Sequence, residues 1–303
     1  MICLPTIDST EEALNLHLQW LDGSLETITD DDINLLLQTY VAIAILHDIK
    51  NKASSPEIQI LERIVSRLHK LPDRVIHSGN VRLLALVSVS SLRLFETRVP
   101  AIYSYLQFLV DGLLDTSLKT SPSAKPLLFL TSILGLNPKP TLDIVSYDLD
   151  LLTLLTAKHS SVKDTITDLE NLTVYGIVPN FLLHGSIDVL EAILIERLQT
   201  YDLEFALRLL RLLNALSVPN YPHASTRYSF QTAFNFIKNN QHPDGYLGFL
   251  EPEIKLLDTE SQSHSSELQL KLQLTFSYLW LAAETAKSGY RLFRDISSPA
   301  SPP

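Results

Sequence analysis

Apolar positions recur every three or four residues over most of the chain, the period of helices that bury one face or more. Caps and breakers mark the expected helix ends. Ser9 followed by Glu12 has the spacing of a capping box, and Asp22-Gly23 is expected to stop the helix it opens. Thr29 with Asp32 opens a second helix, which runs through the apolar stretch Tyr40–Leu46 to about Lys50. Ser55-Pro56 sets a capping residue before a proline at the first helical position. Further helices are predicted over 57–70, 80–96, 100–115, 123–136, 149–158, 162–172, 186–199, 202–217, 225–240 and 265–287. Several are apolar around most of their circumference. That suits two layers of helices with an inner layer packed on both sides.

One segment breaks the period. Glu267–Leu281 alternates apolar and polar positions almost strictly, which is a strand pattern. It is long for a strand, its leucines, glutamines and lysines favour helix, and no partner strand is visible. The reading is one buried helix. Two faint repeats accompany the helices. Gln19-Trp-Leu-Asp-Gly-Ser-Leu25 matches Gln241-His-Pro-Asp-Gly-Tyr-Leu247, and the run starting at Tyr147 matches that starting at Tyr201 as Tyr-Asp-Leu-acid-apolar-apolar. Repeated helix pairs build solenoids and closed rings.

Composition supports the helical reading. Leucine supplies 59 of the 303 residues and glycine only 9, a balance that argues against β-rich, collagen-like and disordered classes. The expectation is an all-α single domain over 1–296 of about twelve to fourteen helices, divisible into halves 1–140 and 141–296. The tail 297–303, Ser-Pro-Ala rich, reads as disordered. The net charge of −10 gives no reason to expect nucleic acid. Cys3 stands alone, which excludes a disulfide framework and a multi-cysteine metal site. The first residues lack the basic and apolar regions of a signal peptide, and no apolar stretch approaches the roughly 20 residues of a membrane span, so a cytoplasmic location is expected.

The segment Ala233–Leu250 carries the most specific pattern. Phe236-Ile237 precedes Gln241, Asp244-Gly245 follows, and Gly248 comes three residues later. This resembles the Gln-x-x-Asp-Gly motif at helix ends in the α/α toroids of triterpene cyclases and protein prenyltransferases. The physical sense is direct. Gly245 can adopt the left-handed conformation that stops a helix. The Asp244 carboxylate can accept from backbone N–H groups, and the Gln241 amide can tie one helix end to its neighbour. The resemblance implies a complete or partial toroid with a central cavity, and a structural role for Gln241, Asp244 and Gly245. Leu247 stands where the cyclases place an aromatic. The catalytic motifs of those families are not matched: there is no Asp-x-Asp-Asp run, Asp30-Asp31-Asp32 has the wrong spacing for diphosphate and suits a helix N-terminus, and Cys3 is too terminal to hold a catalytic zinc.

Other groups carry residue types suited to chemistry. Asp148 and Asp202 each open a Leu-rich helix and read as N-caps, equivalent to one another through the repeat. Glu204, Arg208 and Arg211 share one helix face and are candidate ligand contacts if that face lines a cavity. Tyr221, His223 and Tyr246 are further ligand candidates, with Tyr228 and Phe249 as aromatic walls. His242, Asp244 and Glu251 are the candidates for acid–base catalysis, with the pair Asp244 and Glu251 the first to test for glycan chemistry. No metal site and no cofactor are expected.

Three functions remain open. The first is a toroid-like protein that binds an apolar or peptide-like small molecule, in an accessory or tailoring role in specialised metabolism. The second is a non-catalytic scaffold that binds a partner protein or its own copy as a homo-oligomer. The third is a glycan-active enzyme. The direction of the Glu204 stripe discriminates the first two.

Overall fold

The computed structural model describes residues 7–50, 55–114, 124–136, 184–216, 228–249 and 264–286. These form helices and connecting turns, with one isolated antiparallel bridge between Gln241 and Leu247. In chain order the helices are α1 (Ile7–Ser24), α2 (Ile33–Lys50), α3 (Pro56–Leu68), α4 (Asp73–His77), α5 (Val81–Phe95), α6 (Pro100–Leu114), α7 (Ala124–Ile133), α8 (His184–Gln199), α9 (Leu203–Leu216), α10 (Tyr228–Lys238) and α11 (His264–Ala286). The helices expected over 149–158 and 162–172 lie outside the described residues, as do Asp148, Tyr221, His223, Glu251 and the tail.

The centre is α2. Every residue from Tyr40 to Leu46 is fully buried, so the helix has no solvent side over two turns. Its small residues Ala42 and Ala44 let neighbours approach between the branched Val41, Ile43 and Ile45. It packs against α1, α3, α5 and α11, with α11 its most extensive partner. Helix α11 also packs on α9, and α9 on α8 and α10. One apolar cluster therefore runs from Leu18 to Ala283.

Helix α11 shows why alternation did not make a strand. Wound at 3.6 residues per turn, Leu268, Leu272, Thr275 and Leu279 fall on one face, and Leu274, Tyr278 and Leu281 on the next. All seven are buried. A third stripe, Gln273, Phe276, Ser277 and Trp280, occupies the remaining side of the helix.

The helix ends differ from expectation in instructive ways. Helix α1 begins before Ser9, so the capping box does not mark its start, and it ends at Ser24, one residue past Asp22-Gly23. Ser55 precedes α3 in extended conformation, but its hydroxyl meets His47 Nδ1 at 3.0 Å rather than the backbone of α3. Thr29 Oγ1 donates to Asp32 Oδ2 at 2.9 Å just before α2 starts at Ile33. The short α4 had no sequence signal, because five residues are too few to show a period. Asn80 caps α5, its side-chain oxygen accepting from Arg82 N at 3.0 Å and Leu83 N at 3.2 Å. Asp202 caps α9 through Phe205 N at 3.2 Å, directly after Tyr201 at φ 60°.

Candidate functional site

Two places gather the sequence candidates. The first is the loop after α10. Pro243 removes a backbone donor and stops the chain from continuing as helix. The loop folds on itself: His242 N donates to Tyr246 O at 2.8 Å, Gly245 N to His242 O at 2.9 Å, and Gly248 N to Asn240 O at 2.7 Å. It then docks on two helices and on the turn before α9. Gln241 Nε2 donates to Ala13 O of α1 at 2.9 Å, and Leu247 N donates to Thr275 Oγ1 of α11 at 2.9 Å. The Tyr201 hydroxyl, just before α9, donates to Asn240 Oδ1 at 2.7 Å and accepts from Phe249 N at 3.0 Å. Gly245 has φ 103° and lies against the backbone of α1, where a Cβ would stand 2.7 Å from the Leu16 carbonyl carbon. The earlier copy of the motif, at Gln19–Leu25, does not share this geometry. Lacking a proline, it stays helical through Gly23.

His17 of α1 is the buried anchor beneath the loop. Its Nδ1 bonds to Gly245 O, which can only accept, so the proton sits on Nδ1. Its Nε2 is buried without a partner, and its ring lies 5.6 Å from that of Tyr278. Burial favours the neutral imidazole and pulls its pKa down to about 4, against a smaller upward pull from the bond to Gly245.

Asp244 does not occupy the expected place. Its carboxylate is largely exposed and stands 3.3 Å from His242 Nδ1, which also accepts from Asp244 N at 3.2 Å. The His242 ring stacks 4.3 Å from Tyr246, and Lys271 Nζ lies 4.4 Å above the Tyr246 ring on the α11 side. Tyr246 is thus enclosed in the loop. His242 and Asp244 are adjacent, while Glu251 is outside the described residues, so the candidate catalytic trio is assembled only as a pair.

The second place is a cleft of about 390 Å³ between four helices. Helix α9 contributes Glu204, Arg208 and Arg211, the stripe singled out from sequence. Opposite it, α5 contributes Arg82, Leu83 and Leu86, with the capping Asn80 at its start. Gln38 of α2 lies at the cleft, and α11 supplies its third stripe, Gln273, Phe276, Ser277 and Trp280. Arg211 is held in place. It donates to both Glu284 oxygens, at 3.2 and 3.4 Å, and its guanidinium lies 4.7 Å over the Trp280 ring. Both partners of this ion pair are mostly buried, so it orders the α9–α11 wall more firmly than a surface pair would. The cleft thus has arginine donors on two helices and an aromatic wall on a third. Its size lies within the range of small-molecule sites.

Sequence reasoning missed Gln38, Asn80, Arg82, Gln273, Phe276 and Trp280. The α11 stripe was present at i, i+3, i+4 and i+7, but mixed polar and aromatic residues at that spacing do not distinguish a wall from a core. Among the described residues, no group of three His, Cys, Asp or Glu side chains is placed to hold a metal ion. No described helix is long and apolar enough to cross a membrane. No protein-family model, curated protein or solved structure matches this chain.

Proposed function

We propose that this chain is a helical binding protein that holds a small apolar or peptide-like molecule in the cleft between α5, α9 and α11. The observation that carries the reading is the meeting of the Glu204, Arg208 and Arg211 stripe with the Phe276 and Trp280 wall across one opening. Polar donors fix orientation and the aromatic wall supplies apolar contact, which is how small-molecule sites divide their work. In this reading the cavity is the cleft, not a lumen along α2, since the Tyr40–Leu46 stretch of α2 is enclosed on all sides.

A partial toroid is part of the same proposal. Its support is the way the late helices return to the first ones: Gln241 reaches Ala13 of α1, and α11 packs along α2. Ring closure of that kind is the structural task the Gln-x-x-Asp-Gly resemblance assigns to the loop. An accessory role in specialised metabolism rests on that resemblance alone.

The test uses the two tryptophans. Trp20→Phe leaves Trp280 as the single indole, sited in the cleft. Titrating this variant with a panel of apolar acids, alcohols and capped dipeptides should give saturable changes in Trp280 emission. Ser277→Phe, which fills the cleft, should abolish them. Binding that survives Ser277→Phe, or no saturable response from any compound, would refute the reading.

A further inference from the structure

A second opening lies apart from the cleft, where the turn after α1 meets α2 and α3. It measures about 170 Å³ and is lined by Leu25 and Glu26 of the turn, Leu36 of α2, and Arg63, Ile64 and Arg67 of α3. None of these residues lines the cleft. Leu36 and Ile64 are buried and Leu25 is half-buried, so the hollow is apolar inside. Its volume is close to the roughly 150 Å³ of a cavity that takes up one benzene molecule. That is room for one large apolar side chain.

The two arginines are committed to the rim. The Arg63 guanidinium pairs with Asp22. Arg67 Nε meets Asp30 Oδ1 at 2.7 Å, and its terminal nitrogens donate to the carbonyls of Leu25 and Ile28. These pairs make a collar around an apolar centre, the arrangement that keeps water from an anchoring side chain at a protein interface. Glu26 breaks the balance. It lines the opening, is exposed, and has no bonding partner among the described residues. The rest of the turn has the same sign: residues 22–32 hold five acids and no lysine or arginine.

We propose that this pocket docks a basic segment of a partner protein, which inserts one leucine-sized apolar side chain and sets a neighbouring lysine or arginine against Glu26. The apolar anchor supplies the affinity, in proportion to the surface it removes from water. The exposed ion pair adds little strength and selects the sign of the flanking charge. A second copy of this chain is a poorer occupant, because each copy carries −10.

Fluorescence anisotropy of three rhodamine-labelled peptides tests the proposal: Gly-Lys-Leu-Lys-Gly, Gly-Lys-Ala-Lys-Gly and Gly-Glu-Leu-Glu-Gly. The first should bind at least about tenfold more tightly than the second, the worth of burying one leucine side chain. It should exceed the third by at least about threefold, a gap that narrows as salt is raised. Leu25→Phe, which fills the hollow, should make the leucine and alanine peptides bind alike. Glu26→Lys, at an exposed position, should close the gap between the basic and acidic peptides. Ser277→Phe, which fills the cleft, should change nothing, so the pocket is tested apart from the cleft reading. Circular dichroism checks each fold, and Glu26→Lys carries the test if Leu25→Phe does not fold. Equal binding of the leucine and alanine peptides to the parent protein would overturn the proposal, as would the absence of saturable binding by any of the three. A charge preference that survives Glu26→Lys would overturn it as well. Loss of binding in Ser277→Phe would place the peptide in the cleft instead. A dimer of the parent chain in sedimentation velocity, dissociated by Leu25→Phe, would overturn the partner and make the occupant a second copy.

Discussion

Gly245→Ala is the sharpest test of the loop as a structural tie. Three costs follow from its geometry. A residue with Cβ at φ 103° is strained by about 1–3 kcal/mol. The new methyl group would also overlap the Leu16 carbonyl and stand 3.0 Å from Trp20 Cβ, so the loop and α1 must separate. Separation weakens the bonds from Gln241 to Ala13 and from His17 to Gly245, each worth about 1 kcal/mol. The expected loss is about 3–5 kcal/mol, a large part of the stability of an ordinary domain. Urea unfolding followed by far-ultraviolet circular dichroism measures it. Gly23→Ala is the internal control, since its Cβ would meet nothing within 4 Å and the residue is helical. That variant should gain about 0.5–1 kcal/mol. A Gly245→Ala protein within about 1 kcal/mol of the parent would refute the argument, because it would mean that the loop does not bear on α1.

Three further outcomes are expected. Asp202→Ala removes the cap on Phe205 N and should cost about 0.5–2 kcal/mol by urea unfolding, with Asp202→Asn nearer the parent. Glu57 is buried with its Oε1 2.6 Å from Lys50 Nζ, and although burial pushes its pKa up, hydrogen bonds from Lys50 and Ser55 outweigh this and hold it below the usual range. Glu57→Gln should therefore lower the melting temperature at neutral pH by leaving Lys50 buried without its counter-charge, and Lys50→Met/Glu57→Leu should recover part of the loss. His17 gives a pH dependence: its native pKa is depressed to about 4, so the unfolded chain binds the proton first, and stability is full above about pH 6.5 and falls as the pH drops from there towards 4. The fall is about 3 kcal/mol, and urea unfolding at a series of pH values should find it greatly reduced in His17→Gln, whereas the Glu57 contribution is lost only at lower pH, through the ordinary carboxylate range and below.

The architecture was legible where one element decides its own fate. The run Tyr40–Leu46 is apolar at every position, and a helix with no polar side has to be central. The α9 stripe was legible for the complementary reason, since charges in a Leu-rich helix can only sit where the core does not. Glu267–Leu281 was readable as helix because its residue types outweighed its alternation. What could not be read is where one helix meets another. The Asp202 cap is local and showed in the sequence, but Asp244 was expected on backbone and stands instead beside His242, because the loop satisfies its amides through its own carbonyls and Thr275. Asp22-Gly23 marks the end of α1 to within one residue, but its pentapeptide lacks the proline found at Pro243 and does not form the same docked loop. The cleft shows the limit most clearly. Arg82 and Arg208 are far apart in sequence, and no spacing rule connects them. They come together because α2 and α11 pack along each other and set α5 and α9 on either side of one opening. Leucine periodicity specifies that such packing occurs, but the pairing of helices depends on how side chains of similar size interlock. A chain built from about a fifth leucine gives few distinct shapes by which to foresee it.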